Sequence, residues 1–323
     1  MNAMKVAITD YEYETISAER AVLEAAGIEC SDFQCKTEED VIRQAAGCDG
    51  LIVQYAPITA RVIAALERCR VIVRYGIGVD NVDVAAATAK GIFVCNVPDY
   101  GVEDVANHAF AFLLALAKKI PQQQAQMHSG GWGYAEIKPI TRLSCCTLGL
   151  LGFGRIPQQV CIRAKAFGMK VIAHDPYLDP EKIRAAGAGP VDFDTLLAQS
   201  DFLSCHCPLT PATRHWIDRR ALAKMKRSAC LINTSRGGLI CEADLIDALR
   251  SGGIAGAGLD VFETEPLPKD SPLRGMPQLL LTGHAAWYSE EARSSLQRMA
   301  AEEAARVLTG NPPRSPVNRE LLR

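Results

Sequence analysis

The stretch "LGLLGFGRIPQQV", Leu148 to Val160, decides the fold. It opens as an apolar strand, passes through Gly152, Phe153 and Gly154, and continues as a helix. A glycine at the first place permits a tight strand-to-helix turn, and one at the second removes a side chain where a pyrophosphate must approach the backbone. The helix N-terminus then presents free N–H groups and a positive dipole end to the phosphates. The usual pattern has a third glycine, and here Pro157 stands in its place. The first turn of a helix has N–H groups without intrahelical acceptors, so proline loses little there and its fixed φ suits the helix. The third glycine serves helix–strand packing, not phosphate contact. The substitution is therefore expected to shift the helix slightly and to leave phosphate binding intact.

The next strand, "KVIAHD", ends in Asp175, 23 residues after Gly152. An acid there accepts hydrogen bonds from the adenosine ribose hydroxyls and repels a 2′-phosphate, which favours NAD over NADP. Gly152, Phe153, Gly154, Arg155, Ile156 and Asp175 form the expected nucleotide turn.

Outward from this turn, short β-branched runs alternate with amphipathic stretches. "KVAITD", "GLIVQY", "RVIVRYG" and "IFVCNV" read as strands before it; "DFLSCHC", "ACLINTS", "AGAGLDV" and "LLLTGH" read as strands after it. "SAERAVLEAAG" and "TEEDVIRQAAG" read as intervening helices. Continuous apolar strands alternating with helices predict parallel sheets covered on both faces. The halves also echo each other: "CDGLIVQYAPITARVIAAL" and "SDFLSCHCPLTPATRHWIDRRAL" are each a strand, a Pro–(Ile/Leu)–Thr turn and a helix. The expected fold is α/β: two doubly wound parallel-sheet domains, Rossmann- and flavodoxin-like, with a cleft between them. Helix patterns at 102–120 and 289–308 would carry the chain out of the first domain and back. The expected substrate-binding domain is thus discontinuous, residues 1–100 and 289–323, around an NAD-binding domain at 101–288. The Gln- and Gly-rich segment 121–144 reads as an arm towards a second subunit or as a surface loop.

The chain has 323 residues, enough for two domains, with 48% hydrophobic and 22% charged residues. A net charge of −2 leaves no basic footprint for nucleic acid. No apolar run approaches the length of a membrane span, and "MNAMKVAITD" runs straight into a strand pattern, which together imply a cytoplasmic protein. The twelve cysteines are scattered in apolar runs; the pairs Cys145–Cys146 and Cys205–Cys207 lack zinc-ligand spacing. Buried, reduced thiols and no metal site are expected.

Three further stretches end or follow apolar strands: "LINTSRGGLI", "GLDVFETEPLP" and "LLLTGHAAWYSE". They supply Arg236, Glu265 and His284, and ligands of open parallel sheets sit beyond the carboxyl ends of strands. An arginine offers a forked donor to a carboxylate. A histidine passes a proton near neutral pH, and an adjacent carboxylate fixes its tautomer and stabilises its charged form. Glu263 competes with Glu265 for that place in "FETEP". The other histidines, His108, His128, His174, His206 and His215, read as structural.

With these motifs the chain resembles the D-isomer-specific 2-hydroxyacid dehydrogenase family along nearly its whole length. "HAAWYSE", "HDPYL" and "NTSRGGLI" are especially similar to its C-terminal-binding-protein branch, which holds NAD-sensing transcriptional corepressors as well as bacterial enzymes. The resemblance implies that Arg236 binds the substrate carboxylate and carbonyl, that His284 is the acid–base, and that Glu265, favoured over Glu263 by the family spacing, is its partner. It implies a carboxylate site at Tyr75, Gly76 and Ile77 of "RYGIG", with Trp287 walling the substrate pocket. Further NAD contacts are implied at Cys207, Pro208, Thr213, Thr234, Ser235 and Asp260, as is a homodimer formed through the NAD-binding domain. The implied function is reversible hydride transfer between a small 2-oxo acid and the D-2-hydroxy acid. The alternative is a dimeric NAD(H)-sensing scaffold that keeps the same residues; the lack of long disordered tails favours the enzyme.

Overall fold

The computed structural model describes residues 3–322. Its contacts divide the chain into two compact units: residues up to Gly101 with those from Ser289 onward, and Val102–Tyr288.

In the first unit, β1 (Met4–Ile8), α1 (Ser17–Ala25), β2 (Ile28–Asp32), α2 (Glu38–Ala45) and β3 (Gly50–Val53) come first. They are followed by α3 (Ala60–Ala65), β4 (Val71–Arg74), α4 (Val84–Ala89) and β5 (Phe93–Cys95). The sheet is parallel throughout, in the order β2-β1-β3-β4-β5. Central strands are apolar along their whole length because both faces are covered; every residue of β3 is buried. Beneath the sheet, Glu19 of α1 is fully buried. It accepts hydrogen bonds from the Tyr75 hydroxyl (2.6 Å) and from the amide of Gln297 (3.0 and 3.1 Å), which ties β4 and the C-terminal helix to α1.

The second unit opens with α5 (Val102–Ala117), α6 (Ile120–His128), β6 (Thr147–Leu151), α7 (Arg155–Ala166) and β7 (Lys170–His174). Then come α8 (Pro180–Ala185), β8 (Gly189–Pro190), α9 (Phe193–Gln199), β9 (Phe202–Cys205), α10 (Arg219–Lys224) and β10 (Cys230–Asn233). It closes with α11 (Glu242–Arg250), β11 (Gly256–Leu259) and β12 (Leu279–Leu281), after which α12 (Glu290–Leu308) returns to the first unit. The seven strands are parallel, in the order β12-β11-β10-β9-β6-β7-β8. Neighbouring residues of β10 face opposite ways: Leu231 enters the core beside α9, α10 and α11, and Ile232 the core beside α5 and α7. The strand order reverses at β6, so the Gly152 turn sits at the switch point where such sheets bind ligands.

The echoed segments share a local detail as well as an outline. Two residues before its helix each makes one isolated parallel bridge, Ile58 with Val82 ahead of α3 and Ile217 with Ile240 ahead of α10. Three elements differ from expectation. β2 has the burial of an edge strand, largely open to solvent, so its sequence "IECSD" lacks the apolar run of its neighbours. β8 is two residues long and contains a proline, tolerated because it lies at the sheet edge. The helix expected over 102–120 stops at Ala117; Lys119 takes a left-handed conformation (φ 51°), and α6 begins where an arm or loop is expected. No residue of α6 is buried. Among the described residues, no helix is long and apolar enough to cross a membrane.

All twelve cysteines are free and nine are buried, which leaves Cys30, Cys145 and Cys241 accessible. Replacing Glu19 by alanine takes the acceptor from the Tyr75 hydroxyl and one of two from the Gln297 amide, which keeps the Thr15 carbonyl (2.8 Å). The variant is expected to lose about 3–5 kcal/mol of stability, read as a lowered thermal midpoint, while an unchanged midpoint would show that the network holds nothing together.

Candidate active site

The carboxyl ends of β10, β11 and β12 feed three turns, carrying Arg236, Glu265 and His284. Asn233, the last residue of β10, is fully buried and staples the first turn: its side-chain amide donates to the Arg236 carbonyl (2.9 Å) and its oxygen accepts the Ser235 amide (3.1 Å). Ser235 Oγ donates to the Cys207 carbonyl (2.7 Å). Gly237 packs so closely that an added Cβ would overlap the carbonyl group of Phe262, which seats the arginine turn directly on the turn that carries Glu265. Within that second turn the Phe262 amide donates to Glu265 Oε1 (2.9 Å).

The third turn is set by Asp260, the residue that follows β11. Its buried carboxylate accepts the amides of Ala285 (2.9 Å) and Ala286 (3.0 Å) and the Thr282 hydroxyl. His108 of α5 reaches Thr282 from the other side (3.0 Å). His284, held at φ 54°, donates its amide to the Asp260 carbonyl (2.7 Å). Such a conformation is costly for a non-glycine residue and persists where its surroundings fix it.

These turns bring His284 Nδ1 to 2.6 Å from Glu265 Oε2. The carboxylate orients the ring with Nδ1 as donor and leaves Nε2 for proton transfer. Burial alone would push Glu265 up, but the His284 hydrogen bond and charge, the Phe262 amide and the Arg236 charge outweigh it and hold the carboxyl below its ordinary value. Glu263 is occupied elsewhere, with His215 Nε2 at 3.0 Å. Trp287, on the same turn as His284, is half-buried with its ring edge-on to Tyr288.

The nucleotide turn is equally specific. Gly152 (φ 89°) has the backbone of His206 and Cys207 against it, where a side chain would collide. Gly154 is the N-cap of α7, and the place its Cβ would take is open. Pro157 is the third residue of α7 and is buried, so its missing N–H falls in the first turn. Asp175 accepts the amides of Phe153 (2.9 Å) and Tyr177 (3.0 Å). A carboxylate has about four acceptor positions, so two remain for ribose hydroxyls. A cavity of about 550 Å³ opens beside it, lined in part by Pro176, Ile183, Arg184 and Val191.

Some expected contacts are narrower than the sequence implies. The Phe153 side chain lies in the core, so only its backbone can face a nucleotide, and Ile156 is half-buried against that core. Thr213 Oγ1 donates to the Pro208 carbonyl (2.7 Å) and accepts the Thr210 amide (2.7 Å), which shapes the turn after Cys207 from within. Arg155 is exposed beside the turn. The Tyr75 side chain is buried and spent on Glu19, and Gly76 is buried too, which leaves Ile77 as the exposed residue of this turn in the first unit. Gly76 (φ 130°) has the Arg74 guanidinium where its Cβ would be, and Ile77 is 39% exposed. Asn233 and His108 were not among the sequence candidates; the first stands in the quoted "INTS", but only the folded turn shows its role.

Comparison with known proteins gives the family. The model of the D-isomer specific 2-hydroxyacid dehydrogenase NAD binding domain matches residues 110–286. The chain belongs to that family. Relatives include the D-3-phosphoglycerate dehydrogenase of Methanocaldococcus jannaschii, 43% identical over 87% of this chain and 54% of that protein. The glyoxylate reductase of Korarchaeum cryptofilum is 39% identical over 88% of this chain and 86% of its own. The crystal structure of a glyoxylate reductase from Paecilomyes thermophila superposes with a TM-score of 0.90 at 28% identity, covering 99% and 100% of the two chains. The chain thus spans about half the length of the phosphoglycerate dehydrogenases it matches.

The family's cofactor is NAD, and the residues present fit it. The place a Gly154 Cβ would take is open at the N-terminus of α7, Asp175 keeps acceptor capacity, and the buried Thr234 Oγ1 has no hydrogen-bond partner among the described residues. Because Glu265 titrates lower in the fold than free in solution, it contributes stability above pH 4.5, the ordinary glutamate value, and that contribution is lost as pH falls through the lowered value. Glu265→Gln is therefore expected to melt below wild type at neutral pH and to converge with it in acid. Parallel curves of thermal midpoint against pH would contradict the pairing.

Proposed function

We propose that this protein interconverts a small 2-oxo acid and the corresponding D-2-hydroxy acid, with NAD(H) as redox partner. The observation that carries this reading is the 2.6 Å His284–Glu265 hydrogen bond with the Arg236 charge acting on the same carboxylate. A carboxylate-binding fork, a proton donor and an orienting acid are what reduction of a 2-oxo acid needs from the protein. Bound NADH supplies the hydride, and NAD⁺ accepts it in reverse.

Arg236 binds the substrate carboxylate and polarises the carbonyl. His284 Nε2–H donates the proton to the carbonyl oxygen as it becomes a hydroxyl, and Glu265 stabilises the imidazolium before transfer. In reverse the neutral ring takes that proton back. Trp287 favours an apolar or extended substituent on the acid. Asp175 selects NADH by repelling a 2′-phosphate. The reading of a second subunit on this unit is supported by exposed Ile120 and Met127 of α6 and exposed Trp132 and Tyr134 after it, apolar surface that an isolated chain leaves in water.

The test is NADH and NADPH oxidation with a panel of small 2-oxo acids, with sedimentation of the same preparation. The expected result is turnover of at least one acid, NADH preferred, by a dimer. His284→Ala should lose about 10²–10⁴-fold in turnover and keep NADH binding. Tight NADH binding with no turnover of any acid would instead support the corepressor-like scaffold; preference for NADPH would overturn the role of Asp175.

A further inference from the structure

Outside the Arg236–Glu265–His284 set, one cluster of side chains has no part in the chemistry above. His215, left-handed at φ 52°, donates its amide to the Gly238 carbonyl (2.8 Å). Ile217 then exchanges backbone hydrogen bonds with Leu239 (3.0 Å) and Cys241 (3.0 Å), so the chain after His215 lies along the chain that leads into α11. On the third side, Glu263 and Glu242 are locked reciprocally: each carboxylate accepts the other's backbone amide, at 2.9 and 2.6 Å. The result places His215 Nε2 3.0 Å from Glu263 Oε1 and brings the imidazole, the Cys241 thiol and the Glu263 carboxylate within 4.8 Å of one another. His215 and Glu263 are exposed and Cys241 is half-buried, so an ion reaches them from solvent.

Cys241 also occupies an odd place. It is the N-cap of α11, where Ser, Thr, Asp and Asn serve best, and its thiol makes no capping hydrogen bond. Asp192, Asp218 and Ser289 do cap α9, α10 and α12 with their side chains. Burial, with the Asp244 and Glu263 carboxylates adding to it, raises the Cys241 thiol above its ordinary value; a cation bound at the sulfur reverses that balance, because a metal takes the thiolate.

We propose that His215, Cys241 and Glu263 form a binding site for a divalent transition-metal ion of the zinc class. The donor set of one nitrogen, one sulfur and one oxygen suits zinc or cobalt and excludes magnesium and calcium, which take oxygen ligands. Ligand bonds of about 2.0–2.3 Å at tetrahedral angles put donors roughly 3.3–3.8 Å apart, within rotamer adjustment of the arrangement seen. As the metal–sulfur bond forms, the thiol proton leaves to solvent; the imidazole contributes a lone pair, and no electron changes hands. A fourth position stays with water. The ion ties the chain after the Cys207–Thr213 turn to the Arg236 turn and to the Glu265 turn, and so clamps the three segments that shape the site. Its ligands are 26 and 22 residues apart, His215 to Cys241 and Cys241 to Glu263, so no sequence motif announces it.

The test uses the whole reduced, metal-stripped protein and Co²⁺ as the probe, with Zn²⁺ for melting. Wild type is expected to bind one Co²⁺ per chain at micromolar free metal, with a thiolate-to-cobalt charge-transfer band and tetrahedral visible bands, and to melt higher with Zn²⁺. Cys241→Ser should fold normally, since serine caps helices well, yet lose the charge-transfer band and the Zn²⁺ shift. His215→Ala should weaken binding about tenfold or more. Cys145→Ser removes the most exposed other thiol and should change nothing. No binding by wild type at micromolar metal, or a thiolate band that survives in Cys241→Ser, would overturn the site.

Discussion

Gly237 has no side chain, and the backbone of Phe262 and Glu263 fills the space where one would stand. This close approach makes two neighbouring turns, after β10 and after β11, into one rigid object. Arg236 is fixed on one side of it and Glu265 on the other. Two buried polar side chains finish the work: Asn233 spans the arginine turn, and Asp260 gathers the amides of the turn that carries His284. The His284–Glu265 pair then needs no long side-chain network of its own. One 2.6 Å hydrogen bond completes it, and the strained backbone at His284 is held by the Asp260 carbonyl and carboxylate. Preorganisation here lies in backbone turns at strand ends, which are stiff because the strands beneath them are buried on both faces.

The cofactor end follows the same economy. At Gly152 the His206–Cys207 backbone passes close over a left-handed residue, and at Gly154 the space in front of α7 that a pyrophosphate would take is open. Pro157 is compatible with both, since it sits in the first turn of α7 and faces inward. Thr234 and Asp175 supply polar atoms with capacity left over, the condition for binding a ligand without leaving buried groups unsatisfied when it arrives.

Much of this was legible in the sequence, and the reasons are local. Parallel strands buried on both faces are continuous apolar runs, so "LINTS" and "GLLG" announced themselves, and chemistry-bearing residues just beyond such runs were natural candidates. What escaped was either weakly patterned or tertiary. β2 is half open to solvent, β8 is two residues with a proline, and α6 buries nothing, so no periodicity marks them. The choice between Glu263 and Glu265 could be read from family spacing but not from chemistry; the fold separates them by giving each its own histidine. The burial of Tyr75, the inward use of Thr213 and the approach of His215 to Cys241 depend on segments far apart in sequence meeting in space.

The central claim is that contact between the Gly237 backbone and the Phe262–Glu263 backbone sets the geometry of Arg236, Glu265 and His284. Gly237→Ala tests it most directly, because it adds one methyl group against the Phe262–Glu263 backbone and alters none of the three side chains. The measurement is steady-state turnover of an accepted 2-oxo acid, set beside NADH affinity and circular dichroism of the same variant. The account predicts a folded protein that binds NADH within about tenfold of wild type and loses at least about 10²-fold in turnover. Turnover within about twofold of wild type would contradict it.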